Sequence, residues 1–127
     1  VVSTGAANRR KGSQYETDLV DYFRKRSWDT ERMRLSGTLD EGDLVVRLDK
    51  GHRLVLEAKA GKNLRPRFWW EEEAVPEAKN YAKRRSLLAE EAIPVLAMKT
   101  HGKSIGKSLV TIDLDTFADL LERAYDE

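Results

Sequence analysis

The sequence predicts an α/β fold, a mixed central sheet flanked by helices in the order αβββαββα. Three observations predict it. Two alternating runs, about 43–48 and 52–59, meet at Asp49-Lys50-Gly51 and read as a β-hairpin. Two further short apolar runs, Ile93 to Lys99 and Ser108 to Leu114, read as strands. Segments with apolar residues at helical spacing precede, separate and follow these strands.

Residues 1–12 are small, polar and then basic (Arg9, Arg10, Lys11), without hydrophobic periodicity, and are expected to form a flexible basic arm. Residues 13–127 are expected to form a single domain. Ser13 can cap a helix to about Arg26, with Tyr15, Leu19, Val20, Tyr22 and Phe23 at helical spacing and Glu16 on the same face as Leu19 and Phe23. A strand near Trp28 to Leu35 leads into a turn-rich stretch, Ser36 to Gly42. After the hairpin, Lys62 to Arg67 is a basic loop broken by proline, followed by Phe68-Trp69-Trp70. A second helical region spans roughly 71–91, which Pro76 either starts or kinks. Thr100 to Lys107 is a basic loop, and Asp115 caps a last helix carrying Phe117, Leu120, Leu121 and Tyr125.

Composition narrows the chemistry. With no cysteine, disulfides, thiol nucleophiles and cysteine-ligated zinc are excluded, and a reducing cytoplasm is the expected compartment. Two histidines make a histidine-based site a poor expectation, which leaves carboxylates and lysines as catalysts. Net charge is only +1, so any nucleic-acid surface must come from segregated charge. No apolar run reaches the roughly 18 residues of a membrane span, and no signal peptide is expected.

The hairpin carries the candidate chemistry. With a loop at 49–51, partners across it sum to 100, so Leu48 faces His52 and Asp43 faces Glu57. The pleat then puts Leu44, Val46, Leu48, Leu54 and Leu56 on one face, and Asp43, Val45, Arg47, Arg53, Val55, Glu57 and Lys59 on the other. Like charges directly opposed destabilise a sheet. Something positive is therefore expected between Asp43 and Glu57, either Lys59 or a divalent cation such as Mg²⁺.

Asp43 followed by Glu57-Ala58-Lys59 resembles the signature of the PD-(D/E)xK nuclease superfamily. Lys11-Gly12, Glu16 and Arg34-Leu35-Ser36-Gly37 narrow the resemblance to its archaeal-type Holliday-junction resolvases, over about residues 9–99. The resemblance implies a restriction-endonuclease-like fold and a homodimeric, structure-selective endonuclease that resolves four-way DNA junctions with paired symmetric nicks. It implies Mg²⁺, with Mn²⁺ as substitute, held by Asp43 and Glu57, by the Ala58 carbonyl, and by Glu16 through water. Lys59 would orient or activate the attacking water, leaving a 5′-phosphate and a 3′-hydroxyl. Ser36 would contact substrate from a loop and share in catalysis, and Arg9, Arg10, Lys11 and Arg34 would bind DNA phosphates. A nuclease for flaps, duplex ends or restriction sites, and a catalytically silent DNA-binding module, are the alternatives.

The chain departs from the pattern twice. Gly42 stands where a proline commonly precedes the first acid, and Glu77 is the nearest candidate where many relatives carry a glutamine, so Glu77 is given no catalytic role. Phe68-Trp69-Trp70 is read as core or dimer packing ahead of base stacking. Lys79, Lys83, Arg84 and Arg85, and the loop Lys99, His101, Lys103 and Lys107, are basic but not diagnostic.

Overall fold

Alternation of apolar and polar residues sets the hairpin, and the register is the one the sequence predicts. The computed structural model describes residues 4–34, 39–49 and 51–125. In it β2 (Leu44–Arg47) pairs antiparallel with β3 (Arg53–Lys59) as Leu44 to Leu56, Val45 to Val55, Val46 to Leu54 and Arg47 to Arg53. The Leu48 N–H continues the ladder to the His52 carbonyl at 2.9 Å. Lys50, at the centre of the predicted turn, lies outside the described residues.

The hairpin is the middle of a five-stranded sheet in the order β1-β2-β3-β4-β5, with β1 at Asp29–Arg32, β4 at Ala92–Met98 and β5 at Leu109–Thr111. β3 and β4 run parallel and all other pairs antiparallel. A parallel pair needs a long crossover. Here it consists of α2 (Pro66–Trp69), a π-helical segment (Trp70–Ala74) and α3 (Val75–Arg84).

Both faces of the hairpin are covered. The even-numbered face packs Leu44, Val46 and Leu56 against Tyr15, Leu19 and Val20 of α1 (Thr4–Lys25). The odd-numbered face packs Val45 and Val55 against Ala78, Tyr81 and Ala82 of α3. Trp70 and Ala74 cover Leu96 and Met98 of β4. The face expected to be polar is therefore interior, and the acids on it sit beneath a helix.

Several element boundaries differ from the sequence expectation. The strand expected to reach Leu114 ends at Thr111, and Leu114 begins the last helix. α1 begins at Thr4 rather than Ser13, so the expected arm is helical from Thr4 onward. Ala6, Ala7, Arg9, Arg10 and Lys11 are strong helix formers, and extending a packed helix costs far less than nucleating one. The second helical region begins at Pro66, which occupies a first-turn position where a missing N–H is harmless, and ends at Arg84. In a continuous α-helix Pro76 would clash with the carbonyl four residues back. The π turn, closed by the Val75 N–H on the Trp70 carbonyl, instead leaves Pro76 in the first turn of α3. α4 (Leu114–Tyr125) is capped by Asp113, not Asp115: Asp113 Oδ1 accepts from the Thr116 N–H at 2.8 Å.

Gly42 makes the turn into β2. Its φ of 93° lies in the left-handed region, which proline cannot enter and side chains rarely adopt. An added Cβ would meet Val55 Cγ1 at 2.8 Å and the Leu56 carbonyl oxygen at 3.3 Å. Glycine in place of the commoner proline is thus a requirement of this turn. Gly42→Ala is expected to destabilise the protein by about 1–3 kcal/mol, read from urea unfolding. An unchanged midpoint would mean that the turn relaxes without cost.

Candidate active site

The paired ladder ends at Leu44 and Leu56, one residue short of the expected Asp43 and Glu57 pair, and the carboxyls of Asp43 and Glu57 meet just beyond it. Asp43 is held there by its backbone, donating to the Leu56 carbonyl at 2.8 Å and accepting from the Met33 N–H at 2.8 Å. Its Oδ2 accepts from the Ala58 N–H at 2.8 Å. The contact to Ala58 thus runs through its amide, where the resemblance pointed to its carbonyl. Glu57 is only 5% exposed, and its Oε1 has no hydrogen-bond donor.

Lys59 closes the same side. Its ammonium lies 2.7 Å from Glu73 Oε1, 3.4 Å from Glu57 Oε2, and 5.4 Å from the centre of the Trp69 ring. Burial opposes the charge on Lys59, but the Glu73 hydrogen bond and the charges of Glu57 and Glu73 outweigh it, raising the pKa. Lys59 is a fixed cation.

Glu16 reaches the site from α1. It is paired with Arg32 at 3.4 Å and lies close enough to Asp43 to feel its charge: burial first, then Asp43, raises the Glu16 pKa. Glu16, Arg34, Asp40 and Asp43 line a cavity of ≈ 250 Å³. Arg34 is exposed at its edge, and Lys11 is exposed on α1. Arg9 and Arg10 fall on α1 with side chains outside the described residues, and Ser36 also lies outside them.

The structure adds two acids that the sequence reading left without a role. Glu77 of α3 is 5% exposed and meets the carboxyl of Glu57. Glu73, one turn earlier, binds Lys59. The four-residue spacing of Trp69, Glu73 and Glu77 was the available signal. Phe68-Trp69-Trp70 divides: Trp70 is core, Trp69 lies under Lys59, and Phe68 is exposed with the Arg65 guanidinium 4.1 Å over its ring.

Crowded carboxylates shift one another. Burial, contact with Glu77 and the charge of Asp43 push Glu57 up to about 12. Burial raises Asp43 as well, partly offset by its hydrogen bonds to Glu57 and the Ala58 amide. Burial pushes Glu77 up to about 7, offset in part by Glu57 and reinforced by Asp40, Asp43 and Glu73. Without a cation the cluster keeps protons, and with one it can release them. Among the described residues, buried oxygens without donors, and no histidine or cysteine grouped with them, fit a hard divalent cation such as Mg²⁺ or Mn²⁺.

A sheet of this topology, with its acids gathered at one end of the central hairpin, belongs among the metal-dependent endodeoxyribonucleases of the α/β restriction-endonuclease-like class. The family model described as archaeal Holliday junction resolvase (Hjc) matches residues 7–123. The chain therefore belongs to that family, whose members are nucleases acting on branched DNA at Holliday junctions. Eleven solved chains resemble it. One is the Hjc of Archaeoglobus fulgidus, described as a Holliday junction resolvase from an archaeal hyperthermophile. That structure shares 20% sequence identity over 76% of this chain and 72% of its own, with a TM-score of 0.53, and so supports the fold. No curated protein matches the chain.

The raised carboxylates fix a pH dependence. Glu57 and Glu77 bind protons more tightly folded than unfolded, so the native state holds more protons above the ordinary carboxylate range. Stability of the metal-free protein is then greatest below about pH 4.5 as far as these groups decide it, and is lost as pH rises toward about 7, where Glu77 ionises. The expected loss is roughly 1–3 kcal/mol by urea unfolding in chelator, reduced in Glu77→Gln. Stability rising across that window would contradict the buried-acid picture.

Proposed function

We propose that Asp43, Glu57 and Lys59 form the centre at which this resolvase hydrolyses one strand of a four-way junction. The observation that carries the proposal is the meeting of the Asp43 and Glu57 carboxyls, with Lys59 held at 3.4 Å from Glu57 Oε2. Asp43 and Glu57 would hold Mg²⁺, or Mn²⁺ in its place, with the Ala58 carbonyl and, through water, Glu16. The ion supplies charge for the scissile phosphate and lowers the pKa of an attacking water. Lys59, kept charged by Glu73 and Glu57, orients that water beside the phosphate. The products are a 5′-phosphate and a 3′-hydroxyl.

Residues 13–127 act as a single nuclease domain, and the basic stretch ahead of it brings Arg9, Arg10 and Lys11 to backbone phosphates. Arg34, on the rim of the cavity that Glu16 and Asp43 line, does the same nearer the cut, and Ser36 shares in substrate contact and catalysis. Among the described residues, no helix is long and apolar enough to cross a membrane. The absence of cysteine suits a cytoplasmic protein.

The protein works as a homodimer, so that two centres nick two strands symmetrically. Support comes from α4 and β5. Leu114, Phe117, Leu121 and Tyr125 form one face of α4, and none is buried; Leu114 is 79% and Tyr125 81% exposed. Leu109 and Val110, on edge strand β5, are exposed as well. An apolar helix face uncovered among the described residues suits an isologous contact.

Asp43→Asn and Lys59→Ala are each expected to reduce Mg²⁺-dependent junction cleavage by on the order of 10²–10⁴-fold while leaving junction binding measurable. Cleavage unaffected by both would remove the active-site assignment. Equal cutting of junction, flap and linear duplex would contradict structure selectivity, and junction binding without cutting under any divalent metal would mark a silent binding module. For the dimer, Phe117→Glu combined with Leu121→Glu should convert dimers to monomers by light scattering and paired nicks to single ones. A wild-type monomer, or a variant that stays dimeric, would refute this interface.

A further inference from the structure

Glu73 and Glu77 reach Glu57 from the crossover helix, whereas Asp43 and Glu16 line the cavity described above. One carboxylate oxygen from each of Glu57, Glu73 and Glu77 lies within 4.8 Å of the other two. Oxygen ligands opposed across a hard divalent cation, bonded at about 2.0–2.6 Å, stand roughly 4–5 Å apart. The three groups are spaced for one ion.

An acidic cluster alone would not require a ligand. Glu57 Oε1 and Glu77 Oε1, however, are buried without a donor among the described residues, in residues each 5% exposed. Lys59 does not answer them: its ammonium is on Glu73 Oε1 at 2.7 Å and on Glu57 Oε2 at 3.4 Å, the other oxygen of that carboxylate. Three carboxylates face one ammonium, and a divalent cation balances the remaining charge.

We propose that Glu57, Glu73 and Glu77 hold a second divalent cation, distinct from the one assigned to Asp43 and Glu57, with Glu57 shared between the two. The site takes a hard ion such as Mg²⁺ or Mn²⁺, because its ligands are all oxygens. Glu77 is then a ligand in a position where glutamine could offer only a neutral oxygen. The inference rests on the Asp43 and Glu57 assignment for its shared ligand, and the two can be tested apart.

The test counts Mn²⁺ bound to the full chain without DNA, from the electron paramagnetic resonance signal of the free ion at saturation. The wild-type protein is expected to bind two ions, Glu77→Gln one, Glu73→Gln one with lower affinity, and Asp43→Asn the one held by the glutamates. Circular dichroism confirms that each variant is folded, and Glu73→Gln, at a half-buried position, serves if Glu77→Gln does not fold. Glu77→Asp should recover part of the second binding event. Unchanged stoichiometry in both glutamine variants overturns the second site while leaving the first intact. A wild-type protein that binds one ion or none also overturns it. Two ions retained by Asp43→Asn would instead remove the first assignment.

Discussion

Confinement of several carboxylates at one end of the β2–β3 hairpin is the constraint around which this small domain is arranged. Asp43 and Glu57 meet where the paired strands end, and Glu77 is brought to Glu57 by α3. Opposed acids repel, and burial makes repulsion more costly because little solvent screens it. The fold tolerates the arrangement by fixing the backbone around it. Asp43 is tied to Met33 and Leu56, Lys59 to β4 through the Lys99 amide at 2.9 Å, and the strands on both faces are packed under helices. Within the cluster, Glu57 Oε1 and Glu77 Oε1 have no donor among the described residues, and an ion can complete them.

Legibility of this site in the sequence followed the range of the interactions that build it. The hairpin register was readable because its determinants are local: a short turn and two runs of period two, whose apolar set would be exposed by a one-residue slip. Asp43, Glu57 and Lys59 could be placed from these alone. Burial of their face could not, since Val45 and Val55 are covered by Ala78, Tyr81 and Ala82, residues joined to the hairpin only through the parallel pairing of β3 with β4. Nothing in residues 43–59 specifies that partner.

Glu73 and Glu77 were hidden for a sharper reason. In a regular α-helix each four-residue step drifts by about 40°, so Trp69, Glu73 and Glu77 would spread around the cylinder. The π turn over Trp70–Ala74 winds more slowly and counters that drift, keeping Trp69, Glu73 and Glu77 directed at Lys59 and Glu57. A reading at 3.6 residues per turn misses the alignment. Beside that four-residue spacing, Pro76 was a local hint of the break, and its constraint is met by the same π turn. The cap at Asp113 and the upstream start of α1 are boundary shifts of the usual kind.

The crossover helix does more than cover the sheet. Asn80 Nδ2 donates to the Asp40 carbonyl at 2.9 Å, and Arg85 binds the buried Glu41 carboxylate at 2.7 Å. Both contacts hold the segment that turns at Gly42 into Asp43. α3 thus positions the backbone leading to the first acid from its polar edge, while Glu77 meets the second acid from its buried face. A displacement of α3 would move the approach to Asp43 and the environment of Glu57 together. Geometry at the two acids is therefore set by one rigid element rather than by two loops, which meets the requirement that ligand oxygens be held in place before an ion or a phosphate arrives. The same coupling explains why the positive φ of Gly42 is retained beside an otherwise regular strand: relaxing it would shift Asp43 against a helix that is fixed from both sides.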